Sequence, residues 1–234
     1  MGKETKISQK RHDEWLKKNI PSMYKEAQSS KIIFKPYNIN EVHKQSKKEL
    51  FSVVAGGGSS STGYKLSGAK ILMVNEFIDE AVNTYSKNYP NTPIDNRDIR
   101  EITKKGSKGI NDWFKSFQIN DYDLLDGSPP CATFSQASVK KDKEKTKNVK
   151  YSDKKQDNID LLIFEWVKVA LATNPKVCVL ENVPEITRSE TFKTAINQLR
   201  KKYVVNYKIL KAVNFGVPQD RKRLICVGVR RDLA

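Results

Sequence analysis

Glu49-Leu-Phe-Ser-Val-Val-Ala55, running straight into Gly56-Gly-Gly-Ser-Ser-Ser-Thr-Gly63, is the stretch on which the fold of this 234-residue chain turns. Five of its first seven residues are apolar, and two of those are β-branched, which predicts a buried strand. The three glycines that follow carry no side chains, so backbone N–H groups there can approach a ligand closely before the chain turns into a helix. Flexible linkers share this composition, so the neighbouring elements must decide between the two readings. Lys70-Ile-Leu-Met-Val-Asn75 is the next predicted strand, with Glu76 at its end. Residues 79–88 read as a helix that stops before Pro90, and Asn96-Arg-Asp98-Ile99 as a third short strand. An acid about 20 residues beyond such glycines can hold ribose hydroxyls. A glycine turn, Glu76 and Asp98, each following a strand, therefore predict an adenosine-type pocket at the carboxyl edge of a sheet.

Further along, Asp123-Leu-Leu-Asp-Gly-Ser-Pro-Pro-Cys131-Ala-Thr-Phe-Ser135 is a short buried strand ending in a loop. Pro129-Pro130 fixes φ and removes backbone donors, so a rigid, non-helical lead delivers Cys131. A thiol there can serve as a nucleophile once local cations or dipoles favour the thiolate; a plain turn with a small buried Cys is the alternative. Residues 140–156 are dense in Lys and poor in apolar groups, which predicts a mobile loop, either a solvated linker or a segment closing over a phosphate backbone. Residues 158–173 follow the helical period through Leu161, Leu162, Glu165, Trp166, Val169 and Ala170. Lys176-Val-Cys-Val-Leu180 reads as a strand leading to Glu181-Asn-Val-Pro184. A helix over 191–202 and an extended segment over 203–213 follow. A turn from Phe215 to Arg223 then leads into the last strand, Leu224-Ile-Cys-Val-Gly-Val229. Strands alternating with helices define an α/β fold with a Rossmann-like, doubly wound, mostly parallel sheet.

Composition narrows the partners. Lys and Arg number 43 against 27 Asp and Glu, a net charge of +16, which points to a polyanion and to nucleic acid ahead of a membrane surface. Solvated Lys faces account for part of that excess. Three well-separated Cys and two His form neither a disulfide framework nor a zinc site. Cys178 and Cys226 lie within apolar runs and read as inert core residues. No signal peptide and no membrane-spanning run is evident, so an intracellular chain is expected. Residues 1–48 form a polar, basic arm with possible helices near 10–19 and 22–30, and a brief apolar patch at Ile32-Ile-Phe34. Three roles stay open for this arm: lying against the domain, touching nucleic acid, or remaining partly disordered. Residues 49–234 are expected to form one domain beyond this arm.

Four polar groups project from strand ends: Cys131, Glu181, Arg221 and Arg223. In this order they resemble the cytosine-5 DNA methyltransferases. Gly127-Ser-Pro-Pro-Cys131 with Phe134-Ser135 resembles the family's nucleophile motif, Glu181-Asn-Val183 its base-recognition motif, and Gln219-Asp-Arg221-Lys-Arg223 its Gln-x-Arg-x-Arg motif. Ala55, Gly56, Gly57, Gly58, Glu76 and Asp98 resemble its S-adenosylmethionine pocket, and Ile99 and Pro129 fall on the same cofactor side. The resemblance covers about residues 49–231 and implies the sheet of the S-adenosylmethionine-dependent methyltransferases. It also implies a covalent mechanism. Cys131 would attack C6 of cytosine, Glu181 would engage N3 and the exocyclic amine, and Arg221 and Arg223 would bind the ring carbonyl and lower the thiol pKa. Double-stranded DNA is the implied partner, with the target base taken out of the stack, and Ser135, Gln219, Lys140 and Lys141 on the DNA side. No metal is implied, and a cytoplasmic setting in a bacterial or phage-infected cell is expected.

The sequence also departs from the family. Ala132 stands where Gln often follows the nucleophile, and Val54-Ala-Gly-Gly-Gly-Ser59 replaces the usual Phe-Ala-Gly-x-Gly-Gly. The motifs end at Asp232-Leu-Ala234, without the target-recognition region and final Asn-containing motif of typical members. A split enzyme whose second protein chain supplies these parts, or a fragment, is therefore expected. A tRNA cytosine-5 methyltransferase and a silent cofactor- or DNA-binding remnant are the alternatives.

Overall fold

The computed structural model describes residues 39–56, 59–130, 161–217 and 219–234, with Glu14, Lys17 and Lys18. Gly57, Gly58, Cys131, Ser135, Lys140 and Lys141 lie outside the described residues. So do nearly all of the arm helices expected at 10–19 and 22–30, and the whole of the Lys-rich loop at 140–156.

Seven strands form one sheet: β1 (Phe51–Gly56), β2 (Ala69–Asn75), β3 (Ile94–Asp95), β4 (Leu124–Gly127), β5 (Val177–Asn182), β6 (Tyr203–Lys211) and β7 (Lys222–Arg230). Their order is β3-β2-β1-β4-β5-β7-β6. From β3 to β5 every neighbour is parallel, and β7 runs antiparallel between β5 and β6. The expected mostly parallel, doubly wound α/β sheet is therefore present. Chain order reverses between β1 and β4, and at such a switch point the loops beyond the carboxyl ends part and leave a crevice.

Among the described residues seven α-helices accompany the sheet: α1 (Ile39–Ser46), α2 (Ser59–Leu66), α3 (Asp79–Asn88), α4 (Ile99–Thr103), α5 (Gly106–Ser116), α6 (Leu162–Thr173) and α7 (Glu190–Leu199). Successive β1 side chains point to opposite faces, as the period of a strand requires. Val53 and Ala55 join Ile71, Val74, Val42, Tyr85 and Tyr89 in one core cluster, under α1 and α3. Val54 joins Met73, Leu125, Phe114, Ile163, Phe192 and Leu199 in the other, under α5, α6 and α7. A strand buried on both faces explains why 49–55 reads as an apolar run rather than an alternation.

Several boundaries differ from the sequence reading. The third strand is Ile94–Asp95, not a stretch reaching Asp98. Asp95 accepts the Arg97 backbone N–H at 2.9 Å, and this tight turn ends the pairing. Asp98 instead caps α4, accepting the Arg100 N–H at 2.9 Å. Ile99, expected in that strand, starts α4, and residues 100–116, to which patterning assigns no element, lie largely in two short helices, of which α5 buries Ile110, Trp113 and Phe114. Leu161, placed above on an apolar helix face, is 49% exposed ahead of α6. Cys178 and Cys226 are buried and unpaired, and burial pushes both thiols up to about 12, as expected of inert core residues. Helix α1 falls within the basic arm, yet its Val42 is fully buried in the core beneath it.

Candidate active site

A cavity of about 1060 Å³ opens at the carboxyl edge of the sheet, over the switch point between β1 and β4. Ala55, Gly56, Glu76, Asp98, Ile99 and Pro129 all line it. Every described residue assigned to the cofactor from sequence is thus brought to one place by four separate elements. Glu76 follows β2, and one of its oxygens accepts the Ile78 N–H at 3.0 Å. Asp98 is gripped by Arg100, whose Nη2 lies 2.5 Å from it. Burial pushes the Asp98 carboxyl up, but the bonds from Arg100 outweigh that and hold it below the usual carboxylate range. Both acids are placed to accept hydrogen bonds from hydroxyl and amino groups, as a nucleoside requires. Much of the remaining lining is apolar, including Leu125, Leu162 and Trp166. The Trp166 indole N–H is buried with no partner among the described residues. A cavity of this size, with these acceptors and an unpaired donor in its wall, fits an adenosine-bearing cofactor.

Sequence reasoning missed part of this wall. Phe77, Trp113 and the side chains of α1 and α3 that line the cavity carry no local motif. Trp166 was read only as a face of its helix. One signal was present in Gly127, whose place at the end of β4 demands close approach. A Cβ there would sit 2.3 Å from Cδ1 of Trp166, so only glycine lets the indole close over the strand end.

Beside the cavity, at the ends of β4 and β5, a polar cluster assembles. Ser128 donates its hydroxyl to Glu181 at 2.5 Å, and the Arg223 Nε lies 2.8 Å from the other Glu181 oxygen. Asn182 donates from Nδ2 to the Pro129 carbonyl at 3.0 Å, which pins the Pro129-Pro130 lead against β5. Pro130, the residue preceding Cys131 in sequence, lines the cavity. Arg223 owes its place to the antiparallel β5–β7 pairing, which sets Glu181 opposite Ile225. Arg221 and Gln219 are not gathered into the cluster. Both are exposed in the turn before β7, where the Arg221 carbonyl accepts the Ala212 N–H at 2.9 Å.

One further carboxylate sits beneath the cluster. Asp126 is 2% exposed and accepts hydroxyl bonds from Ser60 and from Tyr64, the latter at 2.9 Å. Both donors are on α2, the helix that follows the glycines, so one side chain ties that helix to β4. Burial pushes the Asp126 carboxyl up to about 6 against the pull of these two bonds, and the nearby charge of Glu181 adds to the rise.

The sheet order, the crevice at its switch point and the acid-lined cavity together define an α/β protein of the cofactor-binding, methyltransferase-like kind. The family model for C-5 cytosine-specific DNA methylases matches residues 48–234. The chain belongs to that family. Membership implies S-adenosyl-L-methionine as the cofactor. Among curated proteins, the type II methyltransferase M.Eco47II of Escherichia coli is 33% identical over 193 residues, covering 80% of this chain and 40% of that protein. M.AquIA of Picosynechococcus is 29% identical over 198 residues, covering 79% and 73%. The chain thus spans less than half the length of the first relative and most of the second. Among solved structures, Spodoptera frugiperda DNMT2 aligns with a TM-score of 0.56 at 20% identity, covering 79% of this chain and 51% of that one. The S. pombe Dnmt2 methyltransferase aligns with a TM-score of 0.55 at 17% identity, covering 77% of this chain and 49% of that one. At such identities these two likenesses speak for the fold alone. No helix among the described residues is long and apolar enough to cross a membrane, and none of their acidic, His and Cys side chains cluster as a metal site would require.

Proposed function

We propose that this chain carries the catalytic machinery for methylating cytosine C5 in double-stranded DNA, with residues 49–234 as the catalytic unit. The observation that supports this most directly is the Ser128–Glu181–Arg223 cluster set against the cavity wall at Pro129-Pro130. Bound S-adenosylmethionine would supply an electrophilic methyl group on its sulfonium. Glu76 and Asp98 would hold ribose and adenine, while Ala55, Gly56, Gly57, Gly58, Ile99 and Pro129 would shape the rest of the pocket.

Cytosine C5 is a weak nucleophile, so the protein must first raise its electron density. Cys131, as the thiolate, forms a bond to C6, and the C5–C6 electron pair becomes available to take the methyl group. Negative charge builds towards N3 during this addition. Glu181, carrying a proton, offsets it by donating that proton in a hydrogen bond to N3 while its other oxygen accepts from the exocyclic amine, and Arg223 holds the Glu181 carboxyl group in place. As C5 takes the methyl group the sulfonium S–C bond breaks to leave a thioether, and loss of the C5 proton to a water molecule then expels the Cys131 sulfur as the thiolate and restores the ring. The target base must leave the duplex to reach this cluster. Arg221, Gln219, Ser135, Lys140 and Lys141 would meet the ring carbonyl and the DNA backbone. The short span of M.Eco47II that the chain matches supports placing target-sequence recognition outside these residues, on a second chain or elsewhere in the same protein.

The test is transfer of labelled methyl from S-adenosylmethionine to mixed-sequence duplex DNA, by this chain beside Cys131→Ala. Incorporation at cytosine C5 that disappears in Cys131→Ala is the expected result. Transfer that persists in the variant removes the covalent mechanism. A wild-type chain that transfers nothing removes the claim that these residues suffice for catalysis.

A further inference from the structure

The cavity is walled in part by a helix that lies outside the family match. That match begins at residue 48, whereas α1 spans Ile39–Ser46. The helix runs along one face of the sheet, from its ligand edge to the opposite edge. Ile39, at its start, lines the cavity. Ser46, at its end, donates its hydroxyl at 3.0 Å to the carbonyl of Ala69, the first residue of β2. Between them Val42 is fully buried among Val53, Ala55, Tyr85 and Tyr89, and His43 meets the edge of the Tyr89 ring with centroids 5.9 Å apart. Ala55 and Tyr89 themselves line the cavity, so the core that seats α1 is continuous with the cavity wall. A helix anchored at its middle by the buried Val42 and at its end by the Ser46 hydrogen bond holds Ile39 in a defined place.

We propose that α1 is part of the cofactor site, with Ile39 forming an apolar wall of the cavity that takes S-adenosylmethionine. This rests on the reading of the cavity as the cofactor site. It extends that reading to a segment which sequence patterning assigns to a basic arm. Ile39 is 38% exposed, so changing it perturbs the cavity wall more than the core, whereas Val42 serves the core.

The experiment is calorimetric titration of S-adenosylhomocysteine into the full chain, comparing wild type, Ile39→Asp, Ile39→Ala and Lys44→Ala. Lys44 is exposed on the same helix and does not line the cavity. A carboxylate facing an apolar wall should weaken binding about tenfold or more, and removal of the aliphatic side chain about threefold. Lys44→Ala should bind as wild type does. Thermal unfolding without ligand checks that each variant is folded, and Ile39→Ala carries the test if Ile39→Asp is not. Wild-type affinity retained in the folded Ile39 variants overturns the role of α1 alone. Failure of the wild type to bind overturns the cofactor reading of the cavity, and this inference with it.

Discussion

At the scale of single residues, Asp126 is the side chain whose chemistry is most at odds with its surroundings. It is a carboxylate in the core, and nothing in the proposed mechanism uses its charge. Its hydroxyl bonds from Ser60 and Tyr64 make it the link between the helix after the glycines and the strand before the nucleophile loop. Its native pKa of about 6 stands above the ordinary 3.8, so the folded state keeps a proton that the unfolded chain releases first. Stability from this group is therefore present below about pH 4 and is lost as pH rises towards 6. A shift of this size corresponds to roughly 3 kcal/mol at most. Chemical denaturation of wild type and Asp126→Asn at pH 4 and pH 7 should show the wild type losing ground to the variant by about 2–3 kcal/mol. Parallel pH profiles would show that Asp126 ionises normally.

At the scale of elements, the amino-terminal ends of β1 and β4 are stapled by another acid. Asp123 accepts the Ser52 N–H and hydroxyl, each at 2.8 Å, and pairs with Lys176 at 2.6 Å. The Lys176 bond, followed by the Ser52 backbone bond, pulls the Asp123 carboxyl down to about 2. The sign is opposite to that of Asp126: stability from Asp123 is present above about pH 4 and is lost as pH falls towards 2. Asp123→Ala should cost about 1–2 kcal/mol at neutral pH, because it leaves the Ser52 N–H without its acceptor. In acid unfolding, the deficit of that variant should shrink as pH drops from 4 to 2. A constant deficit would assign the loss to packing instead. Since the staple sits at the sheet edge opposite the cavity, cofactor affinity should hardly change.

At the scale of the whole molecule, charge is the dominant property. A net +16 on 234 residues gives a polyanion a strong general attraction, and each phosphate neutralised releases counterions. If duplex DNA is the partner, log affinity should fall linearly with log salt. With about four or five phosphate contacts, binding should weaken on the order of a hundredfold between roughly 50 and 200 mM salt. Fluorescence anisotropy with labelled mixed-sequence duplex reads this slope, and a flat response would count against phosphate contacts as the source of affinity.

The α/β class and most of the strands were legible in the chain because they rest on local rules. Apolar runs of strand length, glycines after a strand, and acids and prolines at its end are all short-range signals. Helix α3 was bounded correctly at 79–88 for the same reason. What the sequence alone left undecided depended on contacts distant in the chain. The third strand ended early because Asp95 turned back on Arg97 and was taken up by Trp113, 18 residues away. Arg223 reached Glu181 only because β7 inserts antiparallel between β5 and β6, a choice that periodicity does not encode. Helix α1 was hidden in a basic arm because a single buried side chain, Val42, seats it, and Ile39 and Val42 alone make no visible stripe. Local patterning thus determined most of the strands and the longer helices, while sheet order and long-range packing decided which side chains come together.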